Sequence, residues 1–532
     1  MPFIPNGPSF FPANNQSGHQ NLGDLTALVD GNYVAVWCSA DGYMHGQVLN
    51  ASGGDVGGEF VLNAPSGGIQ AFPAITALSG GGFVTTWWDE NGANGDGNYG
   101  IEQQLFTATG LPVGGNTLVN TLTNGVQQQS AVTALQGGGY MVSWTSYYAP
   151  EEGAGGSGTA IKAQVFDSAG VKVGTEFLVN TTTSSDQAGS SLTTLGSGNV
   201  VAVWADNSGL NGDTSDYGLV GQILSSTGNP IGGEFLINTE TAGDQVSEHV
   251  TSLASGGFVV TWSDIQSTGH DSSASGVKAQ IFDASGTKVG GEIAVNTTTE
   301  GGQDSSHVAA LPNGGFVIAW QGGVAGGVGS DIVGQQFSAS GEPVGGEFII
   351  NSTLDDNQVD SSLISLANGD IVASWTDFNG DGDGWGLAVR TFSFVDNVTV
   401  YDSSSNLVGS FATIQAAVDA ASNGYSIHVA AGTYQEQVIV DGKTVSIVAA
   451  PGAILESPDH AALTSAGNYG VLAAINGAHL NVTGLAIDGR QQGTGFGDQQ
   501  FAGVSYIDSD GAFTNGSITG FTNATLTAHQ HG

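Results

Sequence analysis

Seven tryptophans, Trp37, Trp87, Trp144, Trp204, Trp262, Trp320 and Trp375, each stand 17 residues after a glutamine: Gln20, Gln70, Gln127, Gln187, Gln245, Gln303 and Gln358. A leucine follows each glutamine by 8 residues: Leu28, Leu78, Leu135, Leu195, Leu253, Leu311 and Leu366. An asparagine precedes six of the glutamines by 7 residues, at Asn63, Asn120, Asn180, Asn238, Asn296 and Asn351, while Ala13 holds that place in the first copy. A fixed internal period means a series of equal structural units. One unit, 296–351, reads as four short strands around SSHVAAL, GGFVIAW, DIVGQQFSA and PVGGEFIIN. Gly, Asn and Ser separate them, and apolar residues alternate within them. Seven four-stranded antiparallel units predict an all-β chain with a seven-bladed β-propeller. A straight solenoid would use shorter, parallel rungs.

The ends of the array point to a closed ring. After Trp375 comes one further strand, GLAVRTFSF, and no fourth strand of the GGEF type. Residues 7–28 align without a gap on 174–195, so 7–13 read as the missing outer strand, displaced to the N-terminus. Closure of this kind removes an unpaired sheet edge. From each tryptophan to the next asparagine the spacing varies as 26, 33, 36, 34, 34 and 31. The variation falls between the second and fourth strands, mostly just after the tryptophan. Loops there project from one face of the disc, where binding is expected.

Charge narrows the ligands. The chain carries 48 Asp and Glu against 7 Lys and Arg, a net charge of -41. Such a surface repels phosphate backbones and anionic lipid heads, which excludes nucleic acid and electrostatic docking on membranes. No apolar run approaches the roughly 18 residues that span a bilayer, so membrane insertion is not expected. Unpaired carboxylates suit Ca²⁺, which takes oxygen ligands. After Trp375 the loop TDFNGDGDGWG places Asp377, Asn379, Asp381 and Asp383 at alternate positions. The loop after Trp87 offers Asp89, Asn91 and Asp96, and that after Trp204 offers Asp206, Asp213 and Asp216. Alternating Asp and Asn among glycines can wrap oxygens around one calcium ion, although the terminal Glu and following helix of an EF-hand are missing. The competing reading is a set of solvated turns. The seven repeated tryptophans are expected to pack between blades. The repeated Asn and Gln are expected to satisfy turn backbone. No zinc spacing occurs among the histidines, and the lone Cys38 forbids an internal disulfide.

The repeat ends near residue 394, giving domains 1–394 and 395–532. In the second, residues 410–422 read as a helix with Ile414, Val418 and Ala421 on one stripe and Asn423-Gly424 as its stop. Short strands at spacings near 20 then suggest coils of a right-handed parallel β-helix, incomplete at its C-terminal end, with the helix capping its first coil. The stretch 413–453, TIQAAVDAASNGYSIHVAAGTYQEQVIVDGKTVSIVAAPGA, resembles the opening of pectin-lyase-like β-helix proteins. The resemblance covers the cap and first coil; the paired Asp and Gln motifs of the esterases are missing. Asp488, Arg490, Asp508 and Asp510 are the grouping that could serve a lyase-type site, against a bland reading as solvated turn residues.

The GGFVVTW and VGGEF repeats resemble tandem repeats of large bacterial exoproteins with haemolysin-type calcium-binding tails. That resemblance implies secretion by a signal-peptide-independent, type I route, in keeping with a start that lacks a basic, apolar leader. The chain also reads as a piece of a longer protein. Together these expectations describe a secreted or surface-attached protein whose propeller binds a glycan or another surface ligand with calcium. The alternative is an extracellular polysaccharide lyase or esterase with the β-helix catalytic and the propeller targeting it. The missing motifs lean the reading away from an enzyme.

Overall fold

The computed structural model describes residues 3–13, 18–63, 68–90, 99–123, 125–147, 158–209, 212–265, 275–323, 329–354, 356–378, 380, 382, 384–394, 398–411, 413–430, 432–457, 469–492 and 501–521. The chain divides into two compact units, Ile4–Ser393 and a second formed by Phe394–Gly532 with Met1–Phe3.

The first unit is a seven-bladed β-propeller. Its seven sheets each have four strands, here a to d from the centre outward, and six of them are contiguous in sequence. Blade 1, for example, runs Gln20–Ala27, Tyr33–Ser39, Met44–Leu49 and Phe60–Val61. Each strand a touches the strand a of the next blade, and Gln20–Ala27 touches Gln358–Ser365, which closes the ring. In blade 7 the outer strand is the N-terminal Phe3–Pro5, paired with Trp385–Phe394. A second pairing follows at Phe10, whose N–H donates to the Val389 carbonyl at 2.9 Å while Val389 N–H donates back at 2.8 Å. The expected strand over 7–13 is therefore confined to Phe10 as a paired residue, and regular pairing begins earlier, at Phe3. The alignment still holds at that residue: Phe10 opposes Val389 as Phe177 opposes Ala163.

Burial departs from the alternation expected within strands. Strands b and c are buried along almost their whole length, as in Val200–Asp206 and Gly218–Leu224. The cause is stacking: a blade lies between two neighbours, so both faces of its middle strands are covered. Strand d at the rim does alternate or lies open, as in Pro230–Leu236. The seven repeat tryptophans are at most 1% exposed and the seven leucines at most 6%. Each leucine opens the a–b hairpin, as where Leu78 N–H donates to the Gly82 carbonyl at 2.7 Å. The turn needs the left-handed glycine at its tip, Gly81 at φ 94°.

The repeated amides form a buried device at six of the seven junctions between blades. The Asn Oδ1 accepts an N–H near the start of strand c, for example Leu219 N–H to Asn238 at 2.9 Å, and Asn Nδ2 donates to the Gln Oε1, Asn238 to Gln245 at 2.9 Å. Where Asp stands two residues after the tryptophan, Gln Nε2 donates to it: Gln187 to Asp206 at 3.2 Å and Gln245 to Asp264 at 3.2 Å. In blade 3 that residue is Ser146, and Gln127 Oε1 instead accepts the Trp144 indole N–H at 2.9 Å. A second device joins blades. The GGEF glutamate of one outer strand caps the turn of the preceding blade: Glu234 accepts from Thr182 N–H at 3.1 Å and Thr182 Oγ1 at 2.7 Å. Burial raises the Glu234 pKa, but these donors outweigh it and hold the carboxyl below its usual value.

The second unit is built from parallel coils. Three parallel sheets run Tyr425–Val429 with Thr444–Ala449, His479–Thr483 and Asp510–Thr514; Gly432–Gln435 with Ala453–Glu456, Ala486–Gln492 and Ser517–Phe521; and Val438–Asp441 with Tyr469–Ile475 and Phe501–Tyr506. Tyr425 pairs with Val445, Thr444 with His479 and His479 with Asp510. The first coil thus has the expected length near 20, and the next two are longer because they carry the connections 457–468 and 493–500. The helix α1, Ile414–Ala420, is shorter than expected. Ser410 and Phe411 belong to a hairpin strand, Leu407–Phe411, and Thr413 caps the helix by accepting from Ala416 N–H at 3.1 Å. Ile414, Ala417 and Val418 enter the core of the coils. The sheet edge at Tyr425–Val429 is further covered by the antiparallel strand Val398–Tyr401. Among the described residues no helix is long and apolar enough to cross a membrane.

Candidate functional site

Strand a meets the end of strand b, so the start of strand a and the b–c loops share one face. Every strand a carries a β-bulge there, two residues after the glutamine, at Leu22, Phe72, Gln129, Gly189, Ser247, Ser305 and Asp360. All seven bulged residues have positive φ, from 52° at Leu22 to 60° at Gly189, so six of them hold a conformation that glycine would take more easily. Six strained residues and one glycine thus ring the mouth of the central channel.

Two residues beyond four of the bulges, a side chain accepts a backbone N–H of the next blade's innermost strand. Ser191 accepts Val250 N–H at 3.1 Å, His249 Nδ1 accepts Val308 N–H at 3.4 Å, His307 Nδ1 accepts Leu363 N–H at 3.2 Å, and Asp24 accepts Ile75 N–H at 3.2 Å. The His249 and His307 rings lie 3.5 Å apart between centroids. Burial pushes the His307 pKa down to about 4 and, with the neighbouring His307, lowers that of His249 well below its ordinary value. Both are neutral tethers near pH 7.

Glu248 breaks the repeat at the position after the bulge. Serines there bond across to the neighbouring blade: Ser130 to Thr86 at 3.0 Å, Ser190 to Ser143 at 2.8 Å and Ser306 to Thr261 at 2.9 Å. By the same offsets the partner of Glu248 is Val203, which offers no hydroxyl. The longer side chain reaches toward Gly189, where a Cβ would meet its Oε1 at 3.1 Å, and Gly189 is the glycine among the seven bulged residues. Glu248 is partly accessible from the bore, yet protein surrounds its carboxyl, and burial raises its pKa to about 8. A carboxylic acid held neutral in this way can donate a proton or a hydrogen bond.

The same face carries aromatic rings that the repeat does not require. Trp88 and Trp385 are the two tryptophans outside the fixed offset, and both are half-buried. Trp88 stacks on Phe72 at 6.4 Å and 25°, and lies 5.5 Å from Tyr99. Tyr99 Oη donates to Glu90 at 3.1 Å. In blade 7, Trp385 meets Phe378 edge-on at 5.8 Å and His19 at 6.3 Å. Phe72 is 48% exposed and Phe378 37%. Sequence reasoning marked this loop face but passed over these rings. The signal was present: nine tryptophans, of which seven fit the repeat.

The sequence candidates fall elsewhere. Asp89, Asp206, Asp213 and Asp377 are buried, and the amide device takes up much of their bonding. Asp89 accepts from Gln70 at 2.6 Å, Asp213 from Asn238 at 2.7 Å and Asp377 from Thr353 Oγ1 at 3.1 Å. Asn91, Asp96, Asn379, Asp381 and Asp383 lie outside the described residues. Among the described residues no group of three or more His, Cys, Asp or Glu is arranged to hold a metal ion. In the coil unit, Asp488 lies beside Glu456 on one sheet and accepts Arg490 N–H at 2.9 Å. Asp510 belongs to a different sheet, where it bonds His479 Nδ1 at 2.5 Å, and Asp508 sits in the turn before it. The four residues therefore divide between two places.

No family model matches the chain, and no curated protein matches it. Among solved structures, the chain is similar to a protein of unknown function from Dyadobacter fermentans at 11% identity and TM-score 0.44, covering 74% of this chain and 99% of that one. It is similar to the polysaccharide lyase Uly1 at 10% identity and TM-score 0.44, covering 72% and 91%. It is also similar to an α-L-arabinanase of Penicillium chrysogenum, complexed with arabinobiose, at 15% identity and TM-score 0.40, covering 62% and 96%. Similarity at this level transfers no chemistry to the chain.

Proposed function

We propose that the b–c loop face of the propeller binds a glycan. The observation that carries this reading is the pair of half-exposed tryptophans outside the repeat, each set among further aromatic rings on the variable face. A tryptophan presents an apolar body and a polar edge, which suits a ligand with apolar ring faces and hydroxyl rims. The seven other tryptophans are sealed in the core, so ligand-induced change in tryptophan fluorescence would report on Trp88 and Trp385. A panel of polysaccharides is expected to contain at least one that alters this fluorescence, with the change lost in the Trp88→Phe, Trp385→Phe double variant. A full panel without any response would refute the reading.

The same reading includes calcium and an extracellular setting. Calcium would take oxygens from Asn379, Asp381 and Asp383 and from Asn91 and Asp96, and would brace the loops that flank the aromatic rings. It suits an acidic, disulfide-free repeat protein exported by a route of the haemolysin type, with the coil unit serving as a pectin-lyase-like stalk or second binding module. A rise in melting temperature with calcium, reduced by Asp381→Asn with Asp383→Asn, is the expected result; identical melting in calcium and in chelator would remove the metal from the account.

A further inference from the structure

Resting on the glycan reading, we propose that the ligand is an uncharged polysaccharide bound as an extended chain across blade 1, from the rings of blade 7 to those of blade 2. Three observations meet here. The first is shape. Blade 1 has a tight b–c hairpin, Ala40–Tyr43, closed by Ser39 N–H to the Tyr43 carbonyl at 2.9 Å. Its neighbours carry longer connections at the same place, between Asp89 and Gly100 and between Phe378 and Trp385. Blade 1 thus has the shortest b–c connection of the three, and each flanking blade carries one of the extra tryptophans.

The second is continuity. Trp385 N–H donates to His19 Nδ1 at 3.3 Å, the His19 carbonyl accepts Ala40 N–H at 2.8 Å, and Tyr33–Ser39, the strand leading into that hairpin, packs against Gln70–Ala77, which carries Phe72. Phe72 stacks on Trp88. The rings thus stand at the two ends of one connected row, and the row crosses three blades. A disaccharide covers one end of such a row; a longer chain can engage both, the second contact being made at high effective concentration.

The third is charge. No Lys or Arg precedes residue 162, so blades 1 and 2 have none. Arg390 in blade 7 is held by the Gly7 carbonyl at 2.9 Å and the Ile350 carbonyl at 2.8 Å. The blade 1 hairpin carries Asp41, and His45 beside it is bonded to Asp41 at 3.0 Å and Glu59 at 2.6 Å. Carboxylates can accept from sugar hydroxyls, but they repel the carboxylates and sulfates of acidic polysaccharides. The row offers stacking and acceptors without a cation to balance an anion.

The test is affinity electrophoresis and calorimetric titration of the full chain against neutral polymers (arabinan, xylan, mixed-linkage glucan, galactomannan) and acidic ones (polygalacturonate, alginate), with a ladder of oligosaccharides from the best polymer. The expected result is binding to a neutral polymer, affinity rising at least tenfold from dimer to hexamer, and a loss of tenfold or more in each of Trp88→Ala and Trp385→Ala, with circular dichroism and melting checked for both. Binding to acidic polymers alone would overturn the uncharged ligand and leave the glycan reading standing. Dimers binding as tightly as hexamers, or loss in one variant and not the other, would overturn the extended chain and again leave the glycan reading standing. Binding to none of the polymers would overturn both.

Discussion

The propeller and the coil unit solve the same problem, burial of strand backbone and apolar side chains, by different means. The propeller repeats one internal device, the Asn–Gln pair behind six of the seven repeat tryptophans, joined in four blades by an Asp two residues after the tryptophan, so every blade is a control for the others. The coil unit has parallel sheets, one capping helix and coils of unequal length. The difference teaches where function can be read. In the propeller a residue that departs from its six counterparts stands out, as Glu248, Gly189, Trp88 and Trp385 do. In the coil unit Asp488 and Asp510 have no such counterparts, and their roles must be taken from contacts alone.

The largest effect separates the closed ring from the open coils. Removal of residues 1–12 takes away the outer strand of blade 7 and leaves Trp385–Phe394 unpaired at its edge. The expected outcome is aggregation or loss of a single cooperative melt for the propeller, followed by calorimetry and light scattering. A soluble monomer with unchanged melting would break the claim that the ring is closed by its N-terminus.

Next is the core of one blade. Trp262→Ala empties a fully buried site and should cost about 3–5 kcal/mol in chemical denaturation. Asn238→Ala strands the Leu219 N–H and the Gln245 amide and should cost about 1–3 kcal/mol. A negligible effect at Asn238 would show that the relay is not what fastens strand c.

The pH response distinguishes the two units and the two kinds of buried group. His307 has its pKa lowered to about 4 and His249 is lowered too, so the unfolded chain binds more protons below about pH 6.5. Their contribution to stability is complete above that value and is lost as the pH falls toward 4. Glu248 works in the opposite direction, since its pKa is raised to about 8: the folded chain binds the extra proton, and stability falls as the pH rises from about 4.5 to 8. Glu436, which accepts Ile414 N–H at 2.7 Å and Gln415 N–H at 2.8 Å at the start of α1, has its pKa raised by burial to about 7. The coil unit should therefore weaken between about pH 4.5 and 7, while the histidine pair of the propeller gains as the pH rises from about 4 to 6.5. Glu248→Gln should flatten the propeller's loss of stability toward pH 8; an unchanged slope would place the raised acid elsewhere.

The number of blades was legible because the glutamine-to-tryptophan offset of 17 is rigid: it spans a strand, a hairpin and a strand of fixed length. The structural roles of the tryptophans and amides were legible for the same reason. Continuous burial of strands b and c was not, because it comes from neighbouring blades and leaves no period within a strand. Nor were the bulges, since Leu22, Phe72 and Asp360 share a backbone shape but no side-chain chemistry. The calcium pattern took Asp89, Asp206 and Asp377 as loop residues, whereas they end strand b and face the glutamine relay. Counting charges on a loop could not reveal that its first carboxylate points inward.

Trp87 and Trp88 bring the central claim to one pair of adjacent residues: the repeat residue serves the fold, and the departure from the repeat serves binding. The direct measurement is a titration of Trp88→Ala with the neutral polysaccharide that binds the unaltered chain, alongside its melting curve and that of Trp87→Ala. The account predicts native melting with binding weakened tenfold or more for Trp88→Ala, and severe loss of stability for Trp87→Ala. Unchanged binding by a fully folded Trp88→Ala chain would contradict it.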